Sequence, residues 1–444
     1  MADGGKGRHR AVPSSRLGRI GGFGRLAGGV AGGMMAEGAR RLASGERPTL
    51  EQIMLTPGNA RRLADRLGHM RGAAMKLGQM ISMDAGDFLP PELATILASL
   101  RDRADFMPAR QLDGVLAKEW GKNWRRQFRR FEPRPIAAAS IGQVHRAVTR
   151  DDRTLAIKVQ YPGIAASIDA DVDNVAGLLK ISGLLPKELD IAPLLSAAKE
   201  QLHEEADYHR EGAQMQAYAA RLSGEQGFTV PVMDEDLSTG RILAMSYEDG
   251  VPIESLQNAS QDLRNDVMAR LIDLVGRELF EFGVMQTDPN FANYRYNHEK
   301  DTIVLLDFGA AREITPQVRA SYRGLLQAGL ANDRDAVRRA AVSSGFVAEA
   351  AVAAHGPRID RMIDIILAEM NAEGPFDFGD RAFVPVIREE GTAIARDRAS
   401  WHLPPTETLF VQRKISGTAL LAARLQAVVN VRDIVSGLLQ RTSE

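Results

Sequence analysis

The sequence predicts an α+β chain of two lobes, the first small and strand-rich, the second larger and helical, with a helical extension in front of both. Three observations predict it. Strand signals at 136–147 and 155–160 face each other across the charged turn Asp151-Asp152-Arg153, and two more follow at 228–232 and 241–247. From 263 onward, apolar residues recur mostly at helical spacing. Within that helical part the segment 286–309, QTDPNFANYRYNHEKDTIVLLDFG, sets polar residues at fixed intervals around a short apolar strand. The chain is accordingly divided into a leader (1–49), a helical extension (50–130), a small lobe with a helical insertion (131–249) and a helical lobe (250–444).

Composition narrows the function classes. At 444 residues the chain can bury a substantial core. Its formal net charge is −1, so no global field draws it to nucleic acid, and none is expected as a partner. It contains 0 cysteines, which excludes disulfides and thiolate zinc sites and fits a reducing, cytoplasmic setting. The histidines form no HExxH pattern, and His203 and His209 read as solvated side chains. No run of about 18 apolar residues occurs, so no transmembrane span is expected.

In the leader, Lys6, Arg8, Arg10, Arg16, Arg19 and Arg25 are opposed up to residue 36 only by Asp3. The first part reads as disordered. Gly28 and Gly32, then Gly29 and Gly33, stand four apart, as in close helix contacts. Two readings stand side by side, a flexible basic leader and a membrane-surface or partner-docking segment. From 58 to 83, Leu63, Leu67, Met70, Ala74, Leu77 and Ile81 mark a helix burying one face. Lys76 and Gln79 share an adjacent stripe, flanked by Gly72 and Gly78. Each glycine lowers helix propensity by ~1 kcal/mol, which suggests that something packs close there.

Helices are expected at 91–101 and 112–128. The texture then changes at Pro133-Arg134-Pro135, and the strand pair begins. Its second strand carries Ala156-Ile157-Lys158, the place where kinases put the lysine that contacts nucleotide phosphates and pairs with a helix Glu. The segment before it sits where a Gly-rich phosphate loop belongs, yet holds Ala137, Ala138, Ala139 and Ser140 with only Gly142. Helices follow at 167–185 and 191–222. Glu205, Asp207 and Glu211 on the second are all candidates for pairing with Lys158, and spacing does not choose among them. After the strands at 228–232 and 241–247, residues 247–250 read as the crossing to the larger lobe.

A helix at 263–282 feeds the segment 286–309. Asp288, Asn293 five positions on, and Asp307 after Ile303-Val304-Leu305-Leu306 follow the layout of a kinase phosphotransfer centre. In that layout the first Asp orients the nucleophile, while the Asn and the last Asp hold Mg²⁺ against the phosphates. Asp307-Phe308-Gly309 alone could be an ordinary turn; the two spacings together carry the signal. Behind Gly309 the chain enters a helix at 316–330 with no Ala-Pro-Glu anchor, so the peptide platform of protein kinases is absent. Further helices are expected at 333–344, 348–370, 382–395 and 407–439. Their apolar residues read as core, with 408–439 also a candidate for an apolar face toward a membrane.

Taken together these motifs resemble the UbiB/ADCK family of atypical kinases, linked to coenzyme Q (ubiquinone) biosynthesis. Lys76-Leu77-Gly78-Gln79 matches its KxGQ element, Ala137-Ala138-Ala139-Ser140 its Ala-rich loop, and Glu205-Ala206-Asp207 its ExD element. The segment from Gln286 through Asn293, with Asp307-Phe308-Gly309, matches its catalytic and metal motifs. The resemblance implies a bilobal protein-kinase-like fold whose helical extension covers the active site. It implies Mg-ATP as cofactor and substrate, Lys158 on the phosphates with Glu205 as partner, Asp288 as the catalytic Asp, and Asn293 and Asp307 as metal ligands. Lys76, Gly78 and Gln79 would gate access by protein substrates. A lipid or quinone precursor, peripheral membrane contact and other coenzyme Q biosynthetic enzymes are the implied partners. Alanine reaches fewer φ > 0 conformations than glycine, so an altered nucleotide pose is expected in the Ala-rich loop.

Two other classes compete. A small-molecule kinase of the aminoglycoside-phosphotransferase type also lacks the peptide platform, but the Lys76–Gln79 helix and the Ala-rich loop argue against it. A nucleotide-sensing scaffold would need no acceptor-orienting Asp, and Asp288 counts against that reading.

Overall fold

Leu112 and Leu116, one turn apart and both buried, give the first described helix its inward stripe. The computed structural model of the protein describes residues 106–181, 192–395, 397 and 404–442. The leader, the helices expected at 58–83 and 91–101, and Lys76, Gly78 and Gln79 lie outside the described residues. The chain divides into two compact units, Met1–Gln216 with Pro231–Tyr247 and Ala217–Val230 with Glu248–Glu444.

In the first unit, helix α1 (Ala109–Trp120) stops at Gly121, whose φ of 85° suits glycine. The helix expected over 112–128 is therefore shorter, and its last residue opens an unforeseen strand, β1 (Phe128–Phe131). Trp120, Trp124, Phe128 and Phe131 pack ring against ring at centroid distances of 4.9–6.3 Å, and this cluster fixes the turn between helix and strand. Strands β2 (Ala137–Ala138), β3 (Gly142–Thr149) and β4 (Thr154–Gln160) follow. Helices α2 (Ile168–Ile181) and α3 (Ala192–Glu205) come next.

The single helix expected over 191–222 is broken. Asp207 accepts from the backbone N–H groups of His209 and Arg210, each at 3.1 Å, and so caps a new helix, α4 (Tyr208–Arg221). A carboxylate among helix-forming residues reads as a solvated charge in sequence; its capping geometry is what stops α3. The chain passes from the first unit to the second within α4. Strand β5 (Phe228–Thr229) is shorter than expected, and it pairs in parallel with a strand of the second unit. Strand β6 (Ile242–Ser246) belongs to the first unit, whose sheet runs β1-β3-β4-β6 with β2 on β3.

The second unit contains β7 (Val251–Pro252) and α5 (Gln261–Arg277), capped by Ser260 accepting from Leu263 N at 3.4 Å. A π-helical turn, Glu278–Phe282, and Gly283 at φ 63° lead into β8 (Val284–Gln286). Strands β9 (Tyr294–Asn297), β10 (Thr302–Leu305) and β11 (Ala311–Glu313) follow. The order β5-β10-β9-β7 makes one sheet, and β8 with β11 makes a second, small one. Helix α6 (Pro316–Leu330) starts on Thr315 with proline at its first position, and α7 (Arg334–Ser343) starts on Asp333. Helix α8 (Glu349–Met370) is kinked where His355 leaves helical angles just before Pro357.

The C-terminal stretch departs from the single helix expected over 407–439. After β12 (Phe376–Asp377) and α9 (Val384–Ala395), helix α10 (Thr406–Arg424) ends near Gln426, which takes φ 49°. Strand β13 (Val428–Val429) then pairs with β12, and α11 (Val431–Arg441) begins on an Asn430 cap. Val411 of α10 and Leu439 of α11 share a core with Leu279, Phe280, Met285, Ile314 and Tyr322. Helix α10 buries Phe410, Val411, Leu421 and Ala422, while Ile415 and Leu420 on it are exposed.

Candidate active site

Lys158 stands in the middle of β4, opposite Val144 on β3 and Leu243 on β6. Leu155, Ile157 and Val159 fill one face of that strand, which puts Lys158 and Gln160 on the other. Lys158 Nζ donates to both carboxylate oxygens of Glu211, at 2.6 and 2.8 Å, and the pair is almost wholly buried. Glu205, which the resemblance assigns as the lysine's partner, ends α3 and is buried, while Glu211, which makes this ion pair, lies in the first turn of α4. The cap at Asp207 restarts the helix between these two glutamates. Gly212 beside it lets α4 approach the sheet, because a Cβ there would stand 2.6 Å from Met233 Sδ.

The Ala-rich loop is partly a strand. Ala137 and Ala138 pair with Val144 and Gln143, and both alanines are exposed; Ala139 and Ser140 are half-buried. Ala139 N donates to Gly142 O at 2.9 Å, closing the loop. Gly142 has a structural reason of its own, since a Cβ at this position would meet Val159 O at 2.5 Å and Tyr208 Oη at 2.8 Å. Behind the loop, Met107 N donates to Gln143 Oε1 at 2.8 Å. Gln143 Nε2 lies 2.8 Å from His145 Nε2, and His145 Nδ1 lies 2.8 Å from Glu132 O. A carbonyl can only accept, so Nδ1 carries the proton and Nε2 accepts from the amide. Burial pushes the His145 pKa down to about 4, against a smaller opposing effect of the Glu132 carbonyl. Sequence reading passed over this chain because Gln143 and His145 alternate as strand residues do.

In the second unit the three motif residues are brought to one place by strand pairing. Leu305 is in register with Tyr294, and Leu306 N donates to Asn293 O at 3.0 Å, so the hairpin β9–β10 ends with Asn293 beside the Leu306-Asp307 link. Strand β8 pairs with β11, and Thr287 Oγ1 donates to Ala310 O at 2.9 Å, which ties the residue before Asp288 to the turn after Asp307. Asn290 N donates to Asp288 Oδ1 at 3.3 Å, and Asn293 Nδ2 to Asp288 O at 3.5 Å. Asp307 Oδ1 accepts from Gly309 N at 3.0 Å, and Phe308 is buried with its ring 5.1 Å from that of Tyr218.

Asn293 donates from its amide nitrogen to the Asp288 carbonyl, and its Oδ1 is chemically an acceptor. With the Asp307 carboxylate this makes a pair of oxygen donors, a set that suits Mg²⁺, which takes its other ligands from phosphates and water. Among the described residues no group of three or more His, Cys, Asp or Glu could hold a metal without such help. No described helix is long and apolar enough to cross a membrane.

The ABC1 atypical kinase-like domain family matches residues 99–341. The rat protein atypical kinase COQ8B, mitochondrial, is 38% identical over 436 residues, which cover 97% of this chain and 81% of the rat protein. Atypical kinase COQ8, mitochondrial, of Saccharomyces cerevisiae is 36% identical over 425 residues, 95% of this chain and 84% of the yeast protein. Among solved structures, the complex of Rv3197 with erythromycin from Mycobacterium tuberculosis aligns with a TM-score of 0.59 at 23% identity, over 86% of this chain and 95% of that one. That likeness shows a shared α+β fold. The family match spans more than half of the chain, and the protein belongs to the ABC1, or UbiB/ADCK, family of atypical kinases.

Proposed function

We propose that this kinase binds Mg-ATP and moves its terminal phosphate to water or to a small lipid-linked or quinone-precursor acceptor, in support of coenzyme Q biosynthesis rather than protein phosphorylation. One observation carries the reading: strand pairing delivers Asp288, Asn293 and Asp307 to a single turn region of the second unit. Phosphoryl transfer asks little covalent work of the protein and depends on placement and charge, which such a cluster supplies. Asp288 orients the attacking hydroxyl. Asn293 and Asp307 hold Mg²⁺, which neutralises charge on the phosphates when bound. Lys158, kept in line by Glu211, binds phosphate oxygens, and the loop of Ala137, Ala138, Ala139 and Ser140 shapes the nucleotide's pose. Glu205 stays in this reading as a nucleotide-side residue by resemblance, with Lys76, Gly78 and Gln79 as the gate.

The lipid link rests on the resemblance and on the names of the relatives, atypical kinases COQ8 and COQ8B. Those relatives are named as mitochondrial, so a simply cytoplasmic setting is not carried into this reading, which keeps peripheral membrane contact on the resemblance alone. The test is ATP turnover by the full chain with anionic liposomes, with and without a phenolic quinone-precursor mimic. Stimulation by lipid and phenol together supports the reading. ATP binding with no phosphate release under any lipid condition supports the nucleotide-sensing scaffold instead.

A further inference from the structure

Lys414 of α10 is 2% exposed and Glu278 of the π-helical turn 1%, yet both are charged residues far apart in sequence. Lys414 Nζ donates to Tyr294 Oη at 2.6 Å and to Gln286 Oε1 at 3.2 Å, and stands 3.7 Å from Glu278 Oε2. Glu278 Oε1 in turn accepts from Tyr218 Oη at 3.0 Å and from Gln286 N at 3.4 Å. Gln286 lies two residues before Asp288, and Tyr294 directly follows Asn293. One ammonium group therefore grips both flanks of the loop that carries Asp288 and Asn293. Three residues further along α10, Gly417 lies against Pro289 so closely that a Cβ would stand 2.2 Å from Pro289 Cβ.

Burying two charges is expensive, and a well-packed apolar pair of similar volume is often as stable. Stability alone is a weak account of this cluster. Burial pushes the Glu278 carboxyl up from its ordinary range, and the Lys414 ammonium opposes that shift. What the cluster does supply is fixed geometry at two points on either side of the catalytic segment, from a helix more than 100 residues downstream.

We propose that Lys414, held by Glu278, is a positioning residue that sets the backbone of the Asp288–Asn293 loop for transfer. It acts on turnover and leaves nucleotide binding nearly untouched. The proposal rests on the phosphotransfer reading of Asp288. Lys414→Met alone would strand Glu278 and can unfold the chain, so the test pairs Lys414→Met with Glu278→Gln, and uses Tyr294→Phe as a milder second variant. Phosphate release from Mg-ATP gives kcat and KM, ADP titration gives affinity, and thermal unfolding reports the fold.

The folded double variant is expected to lose about 100-fold in kcat, the scale of a ~1 Å misplacement, with KM for ATP and ADP affinity within about threefold. Tyr294→Phe is expected to lower kcat about tenfold with the same split. A kcat within twofold of the parent in either folded variant overturns the proposal, as does a loss of ADP binding that parallels the loss of kcat. Asp288→Asn separates the two claims: if it retains turnover, the phosphotransfer reading fails; if it abolishes turnover while Lys414→Met/Glu278→Gln does not, only the positioning role fails.

Discussion

Gly417 and Gly324 lie inside helices α10 and α6, and an alanine at each should have opposite effects. Replacing an interior helical glycine by alanine gains ~1 kcal/mol when the site has room. At Gly324 a Cβ meets nothing within 4 Å, so Gly324→Ala should take the full gain. For a unit of about 200 residues that raises Tm by roughly 2–4 °C. At Gly417 the new Cβ would sit 2.2 Å from Pro289 Cβ and 3.4 Å from its Cα. Ordinary carbon contacts are ~3.5–4 Å, so helix and loop must part by about 1.5 Å. Overpacking of this kind costs about 1–3 kcal/mol, which cancels or exceeds the helix gain. The side chain displaced is that of the residue next to Asp288, so turnover should fall on the order of 100-fold as well. Thermal unfolding by circular dichroism and phosphate release from Mg-ATP, run on both variants, read the two effects. Should Gly417→Ala be as stable as Gly324→Ala with unreduced turnover, the close seating of α10 on the Asp288–Asn293 loop is wrong.

The buried His145 sets a pH window. Its folded pKa, about 4, is depressed below the ordinary 6.5, so its contribution is fully present above pH 6.5 and is lost as pH falls toward 4. The loss is at most ~1.4 kcal/mol per pH unit, and the difference in urea midpoint between the parent and His145→Gln should shrink between pH 7 and pH 5; a difference that stays constant would place His145 in solvent. In the Ala-rich loop, Ala138→Gly should shift the ratio of ATP to ADP affinity, because glycine opens φ > 0 at an exposed strand residue. Superimposable titration curves would reduce the alanines to packing.

Where local chemistry decides the structure, the sequence was readable. The helices expected at 316–330 and 333–344 match α6 and α7 within a residue, and Thr315 and Asp333 cap them. The β3–β4 hairpin follows from strand residues on either side of a charged turn, and Asp152 takes φ 65° in it. The spacing of Asp288, Asn293 and Asp307 was legible because a hairpin and its flanking turn are local objects. What escaped notice is long-range. Phe228 and Thr229 look like strand residues of the small lobe, yet pair with Ile303 and Val304, and nothing in a two-residue strand names its partner. The pairing of Glu211 with Lys158 was not readable from helical spacing, because the Asp207 cap breaks the helix ahead of it. Lys414 reads as one more charge on a helix; its burial depends on Tyr294 and Gln286, more than a hundred residues away.

The central claim is that the Asp288–Asp307 region performs Mg-dependent chemistry on ATP. Its most direct test is phosphate release from ATP by the full chain across a Mg²⁺ titration, beside Asp307→Asn. The account predicts turnover that requires Mg²⁺ in the parent and is lost in Asp307→Asn, with the variant's unfolding temperature unchanged. Turnover in Asp307→Asn equal to the parent's, with the same Mg²⁺ dependence, would contradict it.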